Sequence, residues 1–273
     1  MQVAILPNLN TLVKPFFQVF GILGVTMTST LPVSIIQTPV SDAKNEILSA
    51  IKIGSKLICL PELFCQNPPE EIPGPLTQSL HTIAQDHNVH ILAGSINEKS
   101  HIKAKPYNTS TLIHPDGHIT TYRKIHLFKL DNRIDESAKF TAGSTPSTAQ
   151  IGPFKAGLSI CYDIRFPTLY QHYYREGCNL ILIPSAFTHE TGLAHWETLC
   201  RARAIETQSY VIAPNQVGTG SHGRRLWGNS LIIDPWGTII ARGIATNTQI
   251  ISATLDITHV HSIRQKLPLS SRL

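Results

Sequence analysis

The sequence contains few charged residues and no long run of basic ones. Charged residues make up 15% and hydrophobic residues 42% of its 273 residues, a composition typical of globular proteins and not of disordered ones. No basic run is longer than Arg224-Arg225, so the formal net charge of +5 does not predict a nucleic-acid-binding surface. We interpret the charge as mildly favourable for acidic small molecules.

The cysteines include no CxxC pair, and their number is odd. The five are Cys59, Cys65, Cys161, Cys178 and Cys200. This spacing predicts neither a disulfide framework nor a metal site. A reducing cytoplasm suits such a chain, because a thiol that acts as a nucleophile must stay reduced.

The sequence also lacks an apolar run long enough to cross a membrane. Its most apolar early stretch, Phe16 to Met27, is too short for a transmembrane helix. It is also a poor match to a signal peptide, because Lys14 is the only positive side chain before it and no clear cleavage motif follows. We therefore expect no membrane association and predict a cytoplasmic location.

One stretch of the chain, residues 157–167, has the features of a turn that presents a nucleophile. Gly157 to Ile160 predicts the end of a buried strand, Cys161 follows at its tip, and Pro167 suits the first turn of a helix. A thiol on such a turn faces the crevice above the sheet, where a backbone N–H such as that of Tyr162 can point at a developing oxyanion. A buried structural cysteine is the alternative, so partner groups must be found elsewhere.

Two further polar residues follow predicted strands. Glu62 comes just after the apolar run Leu57 to Leu60, where a purely structural carboxylate would be costly. Lys124 lies in a segment with the apolar residues Ile125 and Leu127, after the predicted strand Thr109 to His114. An acid, a base and a thiol at the carboxyl ends of three strands predict an active site, because such ends meet at one edge of a sheet.

The same segments carry a family resemblance. Pro61-Glu62, residues 122–128 (YRKIHLF) and residues 161–167 (CYDIRFP) resemble the three signature blocks of the nitrilase superfamily of carbon–nitrogen hydrolases. From about Pro32 to the C-terminus the chain is most similar to the Nit branch of amidases, the deaminated-glutathione amidase and omega-amidase type. The further matching positions are Asn108 and residues 184–187, 195–197, 201–206 and 234–237. One block alone would be weak, but the ordered set is highly specific.

The pattern of strands, helices and hairpins predicts an α/β fold with mixed sheets. Hairpin turns are expected at Pro115-Asp116-Gly117 and at Pro235-Trp236-Gly237. The resemblance implies a four-layer α-β-β-α sandwich. We divide the chain into an atypical N-terminal extension, residues 1–31, and a carbon–nitrogen hydrolase domain, residues 32–273. The predicted first helix, Asn45 to Gly54, is shorter than the family pattern implies.

The chemistry of amide hydrolysis assigns a role to each candidate catalytic residue. Glu62 can take the proton of the Cys161 thiol as the sulfur attacks the carbonyl carbon. Lys124 and the Tyr162 N–H can then stabilise the oxyanion. The resemblance places a second glutamate at Glu136, which would orient Lys124 or Glu62 by hydrogen bonding. These roles require neither a metal nor an organic cofactor.

Tyr162, Arg165, Phe187 and Thr188 are the candidate substrate-binding residues. Arg165 could bind a substrate carboxylate, or it could form a salt bridge that fixes the turn. Phe187 and Thr188 could line the pocket, whereas we expect Trp196 to belong to the core.

The remaining polar candidates have weaker signals. His126 is expected to be structural, since Glu62 already fills the role of the base. Arg224 and Arg225 lie in a glycine-rich loop that could hold an acidic substrate, although such loops are more often simply solvated. Lys129 to Gly143 is predicted to be an irregular active-site loop.

The sequence therefore predicts an amidase that converts the terminal carboxamide of a small acidic substrate to a carboxylate and ammonia, as the resemblance to deaminated glutathione amidase implies. Omega-amidase and N-carbamoyl amine amidohydrolase activities are the alternatives among hydrolases, and residues 201–204 disfavour a true nitrile hydrolase. A catalytically weak scaffold protein is the alternative from another class. The resemblance also suggests a homodimer or a higher homo-oligomer.

Overall fold

The computed structural model describes residues 28–65, 67–220 and 223–269. Most of the predicted N-terminal extension, residues 1–31, therefore lies outside the described residues, as does the apolar stretch from Phe16 to Met27. In the part of the chain that is described, no helix is both long enough and apolar enough to cross a membrane.

Within these residues, single strands and groups of successive strands are separated by helices. In order they are β1 (Thr30–Gln37), α1 (Lys44–Lys52), β2 (Leu57–Cys59), α2 (Pro75–His87), β3 (His90–Leu92), β4 (Ile96–Glu98), β5 (Tyr107–Ile113), β6 (Ile119–Arg123), β7 (Lys129–Leu130), β8 (Ile134–Asp135), β9 (Ser147–Ile151), β10 (Phe154–Leu158), α3 (Pro167–Arg175), β11 (Leu180–Leu182), α4 (His189–Thr207), β12 (Tyr210–Ala213), β13 (Leu231–Ile233), β14 (Ile239–Arg242), β15 (Gln249–Asp256) and α5 (Ile257–Lys266). Two short 3-10 turns cover Glu136–Ala138 and Cys161–Arg165.

The strands form two large mixed sheets and one short hairpin in the described part of the chain. The first sheet has the order β15-β1-β2-β3-β5-β4, with β6 also paired to β5, and the second has the order β14-β13-β12-β11-β10-β9. The short hairpin pairs β7 with β8. Both predicted hairpin turns are present, because β6 runs antiparallel to β5 and β14 antiparallel to β13.

Two apolar clusters show how the layers stack. Leu57 and Cys59 of β2 belong to a cluster with residues of β10 and β11 in the other sheet. Ile58, the residue between them, belongs to a second cluster with Ile47 of α1 and Leu80 of α2. Neighbouring residues of a strand point to opposite faces, so β2 is covered by a sheet on one side and by helices on the other. Since α4 contacts β12 and β13 and α3 packs on α4, the architecture is the predicted α-β-β-α sandwich.

Strand direction brings three segments of the chain to one edge of their sheets. β1, β2 and β3 are parallel, and β6 has the direction of β3 because both run antiparallel to β5. In the second sheet β10, β11 and β12 are parallel. Glu62 comes shortly after β2, Lys124 directly after β6, and Cys161 shortly after β10. Each candidate thus lies at the carboxyl end of a strand, the usual place for sites in α/β sheets.

Two helices begin where a capping residue precedes them. The Thr188 side chain accepts the Thr191 N–H and caps α4, which begins at His189. Asp256 accepts the Thr258 N–H at 2.9 Å and begins α5, which the pattern does not predict.

Other elements differ from their predictions in smaller ways. The segment from Lys129 to Gly143 is not wholly irregular, since it contains the β7–β8 hairpin and a 3-10 turn. β4 and β9 are short strands that the pattern does not predict. α1 has 9 residues, which confirms the short first helix.

Candidate active site

Cys161 lies at the tip of a tight turn between β10 and α3. Its φ angle is +46°, in the left-handed region that residues other than glycine adopt rarely. The Cys161 N–H donates to the Pro184 carbonyl oxygen at 2.9 Å, and the Asp163 N–H donates to that of Ile160 at 3.0 Å. The Tyr162 N–H lies between them at the second position of the 3-10 turn, which offers it no acceptor. A donor in this position can serve an oxyanion that forms next to the thiol.

Asp163 ties this turn to the segment that carries Lys124. The buried carboxylate accepts the Tyr122 hydroxyl at 2.8 Å and the Ile160 N–H at 2.9 Å on Oδ2. Its Oδ1 accepts the His126 N–H at 2.9 Å and lies 2.7 Å from His126 Nδ1. A buried carboxylate with this many donors holds the two chain segments in one fixed relation.

Lys124 is buried between two glutamates. Its Nζ lies 2.7 Å from Glu62 Oε1 and 2.8 Å from Glu136 Oε2. Glu136 Oε2 also accepts the Phe128 N–H at 2.7 Å, and Glu62 Oε1 also accepts the Asn108 side-chain amide at 2.9 Å. Glu62, Lys124 and Glu136 therefore form one connected network, although they come from separate segments of the sequence.

The Cys161 thiol belongs to the same network, and burial governs its protonation. Burial first, and the charge of Glu62 second, raise the pKa of the Cys161 thiol well above its ordinary value. Burial also raises the pKa of Glu62, and the charge of Lys124 only partly opposes this rise. Burial disfavours the charge of Lys124, but Glu136 and Glu62 outweigh it and hold the pKa of this amine well above its usual range. Burial thus favours the neutral forms of the Cys161 thiol and the Glu62 carboxyl group, whereas the two glutamates favour the charged form of Lys124.

A cavity of about 620 Å³ opens onto this network. It has the size of a small-molecule site. All predicted catalytic and substrate-binding residues line it, namely Glu62, Lys124, Glu136, Cys161, Tyr162, Arg165, Phe187 and Thr188. Three further basic residues, Arg133, Lys139 and Arg224, line the same cavity. No three histidine, cysteine, aspartate or glutamate side chains in the described ranges are arranged to hold a metal ion.

Arg165 has few partners of its own. One of its terminal nitrogens lies 3.2 Å from His195 Nδ1, and its guanidinium lies 5.7 Å from the centre of the Tyr162 ring and 5.6 Å from that of Phe187. No carboxylate pairs with it among residues 28–65, 67–220 and 223–269. The salt bridge considered as its structural role is therefore not seen there, and Asp163 fixes the turn instead.

Two further candidates, Trp196 and Arg225, do not line the cavity. Trp196 is buried, and its Nε1 donates to the Asn229 carbonyl oxygen at 2.7 Å. Arg225 is exposed. Its neighbour Arg224 lines the cavity and donates to the Arg133 carbonyl oxygen at 3.1 Å.

Asn108 and Asp163 are members of the network whose roles the sequence does not predict. Asn108 matches the family pattern, but its contact with Glu62 is visible only in the structure. Asp163 interrupts an apolar run, and it is fully buried. A polar residue in apolar surroundings was the signal by which Asp163 could have been found. Asn108 is followed by the polar residues Thr109 and Ser110, so only the family pattern marks it.

Comparisons with known proteins identify the family. Residues 34–265 match the family model described as "Carbon-nitrogen hydrolase". The chain belongs to the carbon–nitrogen hydrolase family. It is therefore a hydrolase that acts on carbon–nitrogen bonds, and the resemblance to the nitrilase superfamily is confirmed.

Individual relatives match most of the chain. The mouse protein "Omega-amidase NIT2" is 36% identical over 264 residues, which cover 88% of this chain and 94% of that protein. Among solved structures, the Caenorhabditis elegans NitFhit protein has a TM-score of 0.81 at 33% identity. The match covers 91% of this chain and 66% of the NitFhit chain. Saccharomyces cerevisiae Nit3, described as a member of branch 10 of the nitrilase superfamily, has a TM-score of 0.79 at 30% identity, with 90% and 97% covered. These similarities confirm the sandwich fold and support an amidase of this family.

Proposed function

We propose that this carbon–nitrogen hydrolase is a cysteine-dependent amidase whose nucleophile is Cys161. One observation carries the proposal: Cys161, Glu62 and Lys124 lie together in a buried network at a cavity of small-molecule size. A buried thiol is a weak nucleophile at rest, so it needs a base nearby. Glu62 suits that role, because burial raises its pKa and so its affinity for the proton.

The reaction consists of two acyl-transfer steps. Cys161 Sγ bonds to the amide carbon while its proton passes to Glu62, and the C–N bond then breaks as the leaving nitrogen takes that proton and departs as ammonia. Glu62 next removes a proton from water, whose oxygen attacks the thioester carbon. The C–S bond breaks, the sulfur regains a proton from Glu62, and the carboxylic acid leaves.

Both steps pass through a tetrahedral oxyanion that Lys124 and the Tyr162 N–H can stabilise. Lys124 keeps its charge between Glu62 and Glu136, so a cation is in place when the negative charge develops. One donor of this kind contributes about 2.7–4 kcal/mol. Glu136 orients the ammonium group, and the Phe128 N–H holds the orienting oxygen at 2.7 Å.

We further propose that the substrate is the terminal carboxamide of a small carboxylic acid. Arg165 is a suitable partner for the far carboxylate, because it lines the cavity and no carboxylate of the described residues pairs with it, whereas Arg133 already pairs with Asp131 and Glu190. A bidentate arginine–carboxylate contact fixes orientation as well as adding energy. The relative named omega-amidase favours ω-amides of dicarboxylic acids, with deaminated glutathione and N-carbamoyl amines as the alternatives.

Ammonia release from a matched panel of amides tests this substrate class. We expect the acidic amides, which are ω-amides of dicarboxylic acids and deaminated glutathione, to give a kcat/KM at least about tenfold above that of neutral amides of equal length. Faster turnover of N-carbamoyl amines would replace the proposal with a carbamoyl hydrolase. Equal kcat/KM for neutral and acidic amides would mean that the cavity has no carboxylate subsite.

Two arginine variants sharpen the same test. Arg165→Ala is expected to raise KM for acidic amides by about tenfold, with little change in kcat, because the lost contact holds the far end of the substrate. Arg225→Ala is the control, since this arginine is exposed and does not line the cavity. An equal loss on neutral amides would contradict a carboxylate contact and point to support of the Cys161 turn.

We also propose that the protein is a homodimer or a higher homo-oligomer. α4 exposes Leu193 and Ile205, which are 68% and 48% accessible, and Trp236 nearby is 48% accessible. A second copy of the chain would bury these exposed apolar side chains. Light scattering at micromolar concentration should give at least twice the single-chain mass of 30.1 kDa. Leu193→Glu should shift the population towards the single-chain mass. A wild-type protein that stays at the single-chain mass would contradict the proposal.

The proposal keeps residues 32–273 as one catalytic domain preceded by an extension, residues 1–31. It also keeps a cytoplasmic location, because the five cysteines are free thiols and a reducing compartment preserves them. A small-molecule amide is the partner that the cavity suits.

A further inference from the structure

The two carboxyl oxygens of Glu62 differ in the number of hydrogen bonds that they accept. Its Oε1 accepts two hydrogen bonds, from Lys124 Nζ at 2.7 Å and from Asn108 Nδ2 at 2.9 Å. In the described ranges no nitrogen donor reaches Oε2. Hydrogen bonds stabilise the negative charge on the oxygen that accepts them, so Oε2 is the more basic of the two atoms. The proton of the Cys161 thiol is therefore expected to pass to Oε2.

Asn108 lies where it can control both the base and the cation. It is fully buried on β5, opposite Asn97 of β4. Its main-chain oxygen accepts the Lys124 N–H at 2.8 Å, while its side-chain amide reaches Glu62. The sheet thus fixes the relation between Lys124 and Glu62 through this one residue.

The orientation of the Asn108 amide also points to Glu62. Asn108 Oδ1 is buried and has no hydrogen-bond partner among the described residues. A buried acceptor without a donor is destabilising, and an apolar side chain would avoid this cost. The opposite amide orientation would set Oδ1 against the carboxylate oxygen of Glu62. The hydrogen bond to Glu62 is therefore the contact that explains an asparagine at this position.

We propose that Asn108 is a positioning residue for the general base. Its side-chain amide holds the Glu62 carboxyl group so that Oε2 faces the Cys161 thiol, and it favours the ionised form of Glu62. The inference rests on the proposed function in one respect, the role of Glu62 as the base for Cys161. Burial and the charge of Glu136 raise the pKa of Glu62, and the charge of Lys124 and the Cys161 thiol lower it. A hydrogen bond donated to a carboxylate lowers its pKa, so the Asn108 amide should act in the same direction as Lys124.

Two substitutions are expected to move the acid limb of the kcat/KM profile to higher pH. Activity needs ionised Glu62, and without the amide this carboxylate becomes protonated at a higher pH. For Asn108→Ala we expect a shift of about one pH unit, which is a tenfold loss of kcat/KM on the acid limb. Asn108→Asp keeps the shape of the side chain, removes the donor and adds a like charge, so its shift should be larger.

Ser110→Ala is the matched control. Ser110 lies on the same face of β5 and is fully buried, and its hydroxyl has no partner among the described residues. This variant should keep the wild-type pH profile. A purely structural role of Asn108 would lower the melting temperature of its variants and leave the acid limb in place.

Alkylation of Cys161 by iodoacetamide, mapped by peptide mass spectrometry against pH, tests the inference without any substrate. The rate reports transfer of the thiol proton to Glu62, so its acid limb should move in the Asn108 variants as that of kcat/KM does. If the wild type hydrolyses no panel amide but the alkylation limb moves, the proposed function fails and the positioning role stands. If neither limb moves in Asn108→Ala or Asn108→Asp, the inference is overturned. Should Asn108→Asp not fold, Asn108→Ala alone decides.

Discussion

Replacement of Cys161 by alanine is expected to abolish amide hydrolysis and to leave the fold intact. Without the sulfur no thioester can form, so ammonia release should fall below about 1% of the wild-type rate. Cys161 is buried in a turn with a φ of +46°, and alanine carries the same Cβ, so the substitution adds no backbone strain. Ammonia release and thermal unfolding, measured on the same preparation, check both parts of the expectation.

Cys178→Ala is the control for the loss of a buried thiol. Cys178 is also buried and free, and it does not line the cavity. It should retain most of the wild-type activity. A mass adduct of the acyl group on the wild-type protein, absent from Cys161→Ala, would identify the thioester.

Two results would change the assignment. Turnover by Cys161→Ala close to that of the wild type would mean that another group is the nucleophile. A wild-type protein without turnover on any compound of the panel would favour the alternative of a catalytically weak scaffold protein.

Glu62 and Cys161 could be predicted from the sequence because each follows an apolar run. The runs before Glu62 and Cys161 form buried parallel strands, and parallel strands place their carboxyl ends at one edge. Lys124 reaches the same edge as Glu62 because β6 runs in the direction of β3. Position along the chain therefore fixes where these side chains lie before any contact is known.

Asn108 and Asp163 could not be assigned roles in this way, because each depends on partners far along the chain. Asn108 bonds to Glu62, which lies 46 residues away, and Asp163 bonds to Tyr122, which lies 41 residues away. A local pattern identifies a polar residue in apolar surroundings, but it does not identify the group that satisfies it. The role of Asn108 follows from the strand order within the first sheet, and that of Asp163 from the way the two sheets meet.

The surface of α4 shows a different limit of prediction from the sequence, which concerns exposed apolar residues. The helical period predicts one apolar face directed at the core, yet Leu193 and Ile205 of this helix are exposed. Apolar residues around a helix serve either a core or an interface between copies, and periodicity does not separate the two.

Removal of the Lys124 charge is expected to lower both activity and stability. Lys124→Met deletes the cation at the oxyanion, which should lower kcat by about a hundred- to a thousandfold. It also leaves Glu62 and Glu136 as buried acids without their common partner, and breaking a buried ion pair in this way costs about 3–5 kcal/mol. Urea unfolding measures the loss of stability, and ammonia release measures the loss of rate.

A charge-matched double variant separates the two losses. Lys124→Met combined with Glu136→Gln removes one of the two unpaired acids, so it should regain much of the lost free energy of unfolding. Its activity should stay low, because no cation is returned to the oxyanion. Recovery of activity together with stability would mean that Lys124 only neutralises its neighbours.

Glu62→Gln changes the other acid that contacts Lys124. The substitution keeps the shape of the side chain and the pair between Lys124 and Glu136, so stability should change little. It removes the proton acceptor of both acyl-transfer steps, and kcat should fall by about a hundredfold or more. Combined with Cys161→Ala it should cost no more than Cys161→Ala alone, because the base and the nucleophile act in one step. Additive losses would show that Glu62 acts elsewhere, for instance by holding Lys124, and proton transfer from Cys161 would then need another acceptor.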